Sequence, residues 1–363
     1  MHQHTDFRFC FLTFVVIKKQ HPETAISRCL CQTFNSRTRM NKSDLFSTGK
    51  GSTKKTTKKY SEEQHRYRKL SRKKHLGYYL ACHLYYRNEG SALNKSYRNT
   101  MYCASTLAPT ERGLSARYCK NRWCPVCQSI RIATLINGYA SQLNEMADPY
   151  FVTLTGPTVP AGRLKKRIKE FAGEWSLMTK TRYWGAHKPS GIRKAECTLR
   201  PDGQYHYHYH VIVDGREHAE WLIAQWLVRI KGSSIKAQDM RPVRQGEYLE
   251  IFKYFTKLIS TDKSAGKERR YIDFERLNVV FSTLRGTRVY QPFGGIKPVR
   301  EEIDEEELIG GESSEEYMQL WRWMTDVGYV NEDGEILTGE YQLPQWVETL
   351  CGGLPDGKND REK

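Results

Sequence analysis

Apolar and polar positions along the chain follow two periods, and the switch between them marks out the elements. From Tyr150 the run YFVTLTG reads as a strand. Leu164, Ile168, Phe171, Trp175 and Met178 then recur at helical spacing and predict an amphipathic helix. The segment IRKAECTLRPDGQYHYHYHVIV reads as a hairpin. Its turn is Pro201-Asp202-Gly203, a pattern that suits a type I turn closed by a glycine bulge. Helices are expected at about residues 217–230, 246–260 and 271–285. Upstream, residues 70–148 carry clustered cysteines followed by a helical-looking stretch. Strands alternating with helices, together with a hairpin, predict an α+β domain built on a largely antiparallel sheet.

The rest of the chain divides by composition. Residues 1–69 form a basic leader, expected to be disordered up to about Tyr60, and Met40 is a second candidate start. Residues 70–148 are read as a zinc-binding module with a helical segment, and 149–299 as the main domain. The stretch 300–316 (REEIDEEELIGGESSEE) is an acidic linker, and 317–363, with Trp321, Trp323 and Trp346, an appendage that packs back on the core. No internal repeat is visible.

Lys and Arg number 58 against 41 acidic residues, a formal charge of +17. A field of that sign favours a polyanion as partner. Hydrophobic residues make up 39% of the chain, enough for a buried core, which argues against wholesale disorder. The apolar run Phe9 to Ile17 is too short to span a membrane, and its basic pair Lys18-Lys19 follows it, the reverse of a signal peptide. A cytoplasmic protein without membrane contact is expected.

Ten cysteines are present, scattered except for one run, so no disulfide framework is implied and a reducing compartment is expected. In YCKNRWCPVC, Cys124 and Cys127 have the Cys-x2-Cys spacing that lets two thiolates reach one ion from a tight turn. Cys119 joins them, and Cys103 completes a tetrahedral set that suits structural Zn²⁺, with Cys82 as its rival. Arg122 and Arg131, among the basic residues around this run, are candidate DNA contacts.

Tyr205-His206-Tyr207-His208-Tyr209-His210 alternates strictly, so a strand projects the three histidines from one face and the three tyrosines from the other. Two imidazoles at i and i+2 can bind one divalent ion. If the turn pairs Arg200 with Gln204, Glu196 lies directly across from His208 and offers a third ligand; a two-residue loop would turn it away. Farther on, Glu250, Tyr254 and Lys257 fall on one stripe of the expected helix GEYLEIFKYFTKLIS. A tyrosine hydroxyl can attack a phosphodiester, a carboxylate one turn away can activate water, and a lysine can hold a phosphate oxygen. Tyr248 is the competing tyrosine.

Together these pieces resemble the rolling-circle replication initiators (Rep proteins) of small bacterial plasmids, a branch of the HUH endonucleases. The resemblance covers about residues 100–295, with CKNRWCPVC, YFVTLTG, HYHYHV, ExxxY within LEIFKYFTK and GTRVYQPFGG in the family's order. It implies a central antiparallel sheet carrying His208 and His210 as the paired metal ligands; His206 lies where the family is more variable and is left as a candidate accessory ligand. It implies Mg²⁺ or Mn²⁺ at that pair, Tyr254 as the nucleophile that forms a 5′-phosphotyrosine, and Glu250 as the residue that ends the reaction with water. The implied activity is site-specific nicking of single-stranded or hairpin origin DNA, with a host helicase and polymerase as partners. A transposase or relaxase of the same superfamily is the nearest alternative, disfavoured by the single ExxxY tyrosine. A non-enzymatic zinc-bearing DNA-binding regulator gives no reason for HYHYHV.

Overall fold

A computed structural model describes residues 61–110, 113–244, 247–252, 257–262, 269–300, 303, 319–339, 342–351 and 353–355. The chain forms two compact units, Met1–Leu70 and Ser71–Lys363. Of the first, only residues 61–70, which open a helix, are described; the sheets and both clusters of candidate ligands belong to the second. The leader up to residue 60, Met40 included, and nearly all of the acidic stretch 300–316 lie outside the described residues.

In chain order the helices are α1 (Glu62–Arg87), α2 (Asn94–Met101), α3 (Pro125–Asn144), α4 (Ala161–Met178), α5 (Arg182–His187), α6 (Arg216–Arg229), α7 (Phe274–Leu284) and α8 (Gln345–Cys351). The strands are β1 (Thr106–Thr110), β2 (Gly113–Ala116), β3 (Pro149–Thr155), β4 (Gly191–Leu199), β5 (Tyr205–Asp214), β6 (Asp239–Pro242), β7 (Ser260–Asp262), β8 (Arg269–Tyr271), β9 (Tyr290–Phe293), β10 (Trp321–Met324) and β11 (Gly328–Val330). The mixed α+β class expected from the sequence is the class observed.

The central sheet has the order β6-β3-β5-β4-β9, with every neighbouring pair antiparallel. Both faces are covered. Tyr205, Tyr207, Tyr209, Val211 and Val213 on β5 join Val152 and Leu154 on β3 in the larger core. Leu164, Ile168, Phe171, Trp175 and Met178 of α4, the predicted stripe, pack into the same core, with Leu222 and Trp226 of α6. Phe171 lies edge-on to Trp226 at 4.7 Å and tilted to Tyr207 at 5.4 Å. Each such buried aromatic contributes several kcal/mol, since truncating one to alanine typically costs about 3–5 kcal/mol. The opposite face packs Phe151, Ile192 and Ile212 against Leu135, Tyr139 and Leu143 of α3.

The hairpin β4–β5 closes as the sequence predicts. Arg200 N–H donates to Gln204 O, Gly203 N–H donates to Arg200 O, and Asp202 Oδ1 accepts from Gln204 N–H. Gly203 has φ +82°, the left-handed conformation a bulge requires and a side chain resists.

Within the expected helix over 246–260, the described residues are not α-helical. A 3-10 helix spans Glu247–Phe252, residues 257–259 are not helical, and β7 begins at Ser260. Two pairings outweigh helical periodicity here. Phe252 stacks on Tyr139 at 5.8 Å, and Ser260–Asp262 pairs with β8. The expected helix over 271–285 forms as α7 and starts later, because the Asp273 carboxylate caps it by accepting from Arg276 N–H.

A second sheet, β11-β10-β1-β2, holds the cysteine-bearing region together. Two of its strands come from the chain's end: Leu107 pairs with Trp321 and Thr106 with Arg322. Tyr329 Oη donates to Ala104 O at 2.6 Å. Val347 and Cys351 of α8 join the larger core. No helix among the described residues is long and apolar enough to cross a membrane.

Candidate functional site

The cysteine cluster is built at the entry to α3. Cys124 is the N-cap and Pro125 follows at the first helical position, where its missing N–H is no loss. Cys127 then falls in the first turn, which brings its sulfur back toward that of Cys124. Cys103 and Cys119 are each followed by a non-glycine residue in the left-handed region, Ala104 (φ +51°) and Lys120 (φ +58°). Such backbone costs energy and persists only where surrounding contacts impose it.

The four sulfurs lie within 4.8 Å of one another. Cys103 Sγ is 3.5 Å and Cys119 Sγ 3.6 Å from Cys127 Sγ, and Cys119 N–H points at Cys103 Sγ at 3.4 Å. Four sulfurs at ~2.3 Å from zinc would stand roughly 3.8 Å apart, so the arrangement fits a closed tetrathiolate site. Hydrogen bonding from Cys103, Cys124 and Cys127 holds the Cys119 thiol far below its ordinary range, while burial pushes Cys124 up. Cys82 is not in the group; it packs with Ala81 and Met101.

Lys74 is buried near this cluster. Its Nζ donates to Met101 O at 2.6 Å and Ser105 Oγ at 2.9 Å. Burial lowers its pKa to about 8, and the cysteines nearby work against that fall. Arg122 donates to Thr287 O and Arg131 to Lys120 O, so both tie backbone segments around the cluster.

The second group, Glu196, His208 and His210, lies on the α3 side of the central sheet, and its ligand atoms also fall within 4.8 Å. Alternation along β5 sends Tyr205, Tyr207 and Tyr209 into the core and leaves His206, His208 and His210 on the other face. Glu196 pairs in register with His208, the placement that the bulged turn requires.

His208 Nε2 and His210 Nε2 are 3.1 Å apart, and Glu196 Oε2 is 3.5 Å from His210 Nε2. His208 Nδ1 donates to His206 O at 3.2 Å, and Thr153 Oγ1 meets His210 Nδ1 at 3.3 Å. With both Nδ1 atoms occupied, both Nε2 atoms are left for an ion, the usual way a protein orients imidazole ligands. The donor set fits one divalent cation.

Electrostatics prepare these groups as ligands. Burial, with His210 beside it, lowers the His208 pKa to about 3 and keeps it neutral. Burial also lowers His206, helped by Arg200. For Glu196 burial alone would raise the pKa, but Lys194, His210 and His208 together hold the carboxylate well below its usual range. His206 stacks on His208 at 4.8 Å and is not among the grouped ligands.

Of the remaining residues singled out in the sequence, Tyr254 lies outside the described residues. Glu250 is half-buried at the edge of the same sheet face, held by Arg241 Nη2 at 3.2 Å, while Arg241 Nη1 reaches Glu247 at 2.9 Å. Arg241 lies over Phe151 at 5.0 Å, and Phe151 lies 5.2 Å from His210. Lys257 is exposed and not helical, so the expected stripe through Glu250, Tyr254 and Lys257 does not extend to it as one helix face. Tyr248 lines a cavity of about 260 Å³ with Leu143, Met146, Pro149, Ile212 and Arg244. That cavity lies toward the Pro149 end of β3, and its lining residue Ile212 stands two residues along β5 from His210.

Sequence reasoning missed Lys194, Thr153 and Arg241. Lys194 was within reach, since it stands two residues before Glu196 on one strand and so shares its face.

Residues 111–216 match the family model described as replication protein. The match takes in Cys119, Cys124, Cys127, Glu196, His208 and His210 and ends before Glu250 and Tyr254. The chain is also similar to "Protein rep" of Staphylococcus aureus, 25% identical over 189 residues that cover 47% of this chain and 79% of that protein. No solved structure matches. Over residues 111–216 and along the stretch shared with this relative, the chain is similar to the Rep proteins of plasmid replication.

Proposed function

We propose that this protein starts rolling-circle replication of a plasmid by nicking one strand of its origin, using a fold of the HUH-endonuclease kind. The observation that carries the reading is the register of the hairpin. It sets Glu196 opposite His208, on the face where alternation along β5 already holds the nitrogens of His208 and His210 3.1 Å apart, within a chain similar to replication proteins.

Glu196, His208 and His210 would hold Mg²⁺ or Mn²⁺, and a bound ion there supplies polarisation of the scissile phosphate and offsets its developing charge. The phenol oxygen of Tyr254 forms a bond to phosphorus as the bond to the 3′ oxygen breaks. The phenol loses its proton and the 3′ oxygen gains one. One DNA end is left as a 5′-phosphotyrosine and the other as a 3′-hydroxyl for a host polymerase, with a host helicase opening the duplex. Glu250 serves the last step: at the regenerated origin it takes a proton from a water that attacks the phosphorus in place of a second tyrosine, while the bond to the 3′ oxygen breaks and that oxygen gains a proton.

The tetrathiolate cluster would hold Zn²⁺ as a structural support. In this reading residues 70–148 form the zinc module, 149–299 the nicking domain, and the C-terminal strands an appendage. Lys257, Arg122 and Arg131 supply phosphate contacts, and the protein works in the cytoplasm.

The test is cleavage of supercoiled plasmid carrying the origin. Replacing His208 and His210 together by alanine should abolish nicking while origin binding persists. Full cleavage by that double variant in chelator would end the proposal.

A further inference from the structure

Glu196, His208 and His210 are ligand types, but a fourth side chain on their face, Lys194, is not. It stands directly across from His210 in the β4–β5 register and is 1% exposed. Its Nζ donates to Glu196 Oε2 at 2.8 Å, and the same oxygen is 3.5 Å from His210 Nε2. One carboxylate oxygen therefore faces both an ammonium and the ring nitrogen that would bind the ion. Glu196 is itself only 9% exposed, so the pair is shielded from solvent.

Burying an ammonium beside a cation site is costly unless its charge is used. Two imidazoles and one carboxylate form a set that also holds zinc tightly. The same chain carries a tetrathiolate cluster suited to zinc, so zinc reaches it in the cell if that cluster is filled.

We propose that Lys194 is a positioning residue that weakens this site on purpose: it holds Glu196 in the ligand set while offsetting its charge, so the cluster takes up a divalent ion exchangeably and does not trap zinc. The inference rests on reading Glu196, His208 and His210 as one cation site. The physical cause is direct. An ammonium at hydrogen-bond distance from a ligand oxygen lies within a few ångströms of the ion, where like charges repel strongly in a partly desolvated setting. Removing the charge raises affinity for every divalent ion, and the gain is most visible for zinc, which binds such donors more tightly than manganese does.

The experiment uses the full chain and three variants. Lys194→Met and Lys194→Gln remove the charge, the glutamine keeping a donor for Glu196, and Lys194→Arg keeps the charge. Free Mn²⁺ is followed by electron paramagnetic resonance, and zinc per chain is counted after dialysis. Both neutral variants should bind Mn²⁺ about tenfold or more tightly than the unchanged protein, and retain an additional zinc. Lys194→Arg should stay near the unchanged protein. Should Lys194→Met fail to fold, Lys194→Gln carries the test. Neutral variants that bind no more tightly, or an arginine variant that tightens as much as they do, would overturn the proposal. The His208→Ala/His210→Ala double variant separates the two readings. If it binds Mn²⁺ as the unchanged protein does, the cation site itself is wrong. If it loses Mn²⁺ but the Lys194 charge has no effect, only the role of Lys194 falls.

Discussion

Glu196 and His208 face each other across β4 and β5, and the single left-handed residue Gly203 decides that they do. The bulge adds one residue to the turn, and one residue of register moves every side chain of a strand to the other face. The candidate cation site is thus set by a turn outside it. Replacing Gly203 with valine should destabilise the hairpin by about 1–2 kcal/mol, because a β-branched residue resists positive φ. Urea unfolding measures it, and an unchanged midpoint would show that the bulge is not required.

Zinc at the cysteine cluster makes a separate prediction. Purified protein should hold tightly bound zinc through Cys103, Cys119, Cys124 and Cys127, and Cys124→Ser should lose it. Cys82→Ser should keep it, since Cys82 stands outside the group. Elemental analysis of the three proteins checks this, and zinc content that follows Cys82 and not Cys124 would refute the assignment.

The buried neutral state of His208 predicts a pH dependence. Its folded pKa, about 3, lies below the unfolded value near 6.5, so the unfolded chain takes up the proton first as pH falls. His208 therefore contributes stability above about pH 6.5 that is lost on acidification toward pH 3, at a limiting slope of about 1.4 kcal/mol per pH unit. His75, His83 and His206 are shifted in the same direction by burial and add to the slope. In protein stripped of divalent ions at the histidine site, His208→Gln should flatten the fall in stability between pH 6.5 and 5. An identical slope in the variant would count against the buried neutral imidazole.

For the proposed nicking reaction, two tyrosines are candidates for the nucleophile. Tyr248 lines the cavity at the Pro149 end of the sheet, and His208 pairs with Thr155 at the other end. Tyr254→Phe should abolish both cleavage and covalent attachment to origin DNA, and Tyr248→Phe should leave the adduct in place. Mapping the DNA-linked peptide decides between them; an adduct on Tyr248 would overturn the assignment of Tyr254.

Glu250→Ala should nick and then accumulate the covalent adduct, if its carboxylate serves the water of the last step. Arg241, which holds Glu250 at 3.2 Å, should show a weaker form of the same defect when changed to methionine. A time course of adduct on origin DNA reads both. Normal turnover by Glu250→Ala would remove it from the mechanism.

Much of this arrangement comes from local chemistry, and local chemistry is written in the sequence. The alternation of HYHYHV sets which ring faces the core, the PDG turn sets the register, the Cys-x2-Cys spacing sets two sulfurs around one helix start, and the stripe from Leu164 to Met178 sets how α4 lies on the sheet. Each depends on residues a few positions apart, where backbone geometry alone fixes the outcome. Tertiary structure decided the rest. It chose Cys103 over Cys82, because only the chain path through β1 and β2 brings one of them back to Cys119. It joined the last strands to the cysteine-bearing sheet across more than two hundred residues of chain, through pairs such as Leu107 with Trp321. It made Glu247–Phe252 a 3-10 helix, with Phe252 stacked on Tyr139, and paired Ser260–Asp262 with β8. These are long-range contacts, and no short period in the sequence encodes which distant partner a side chain will meet.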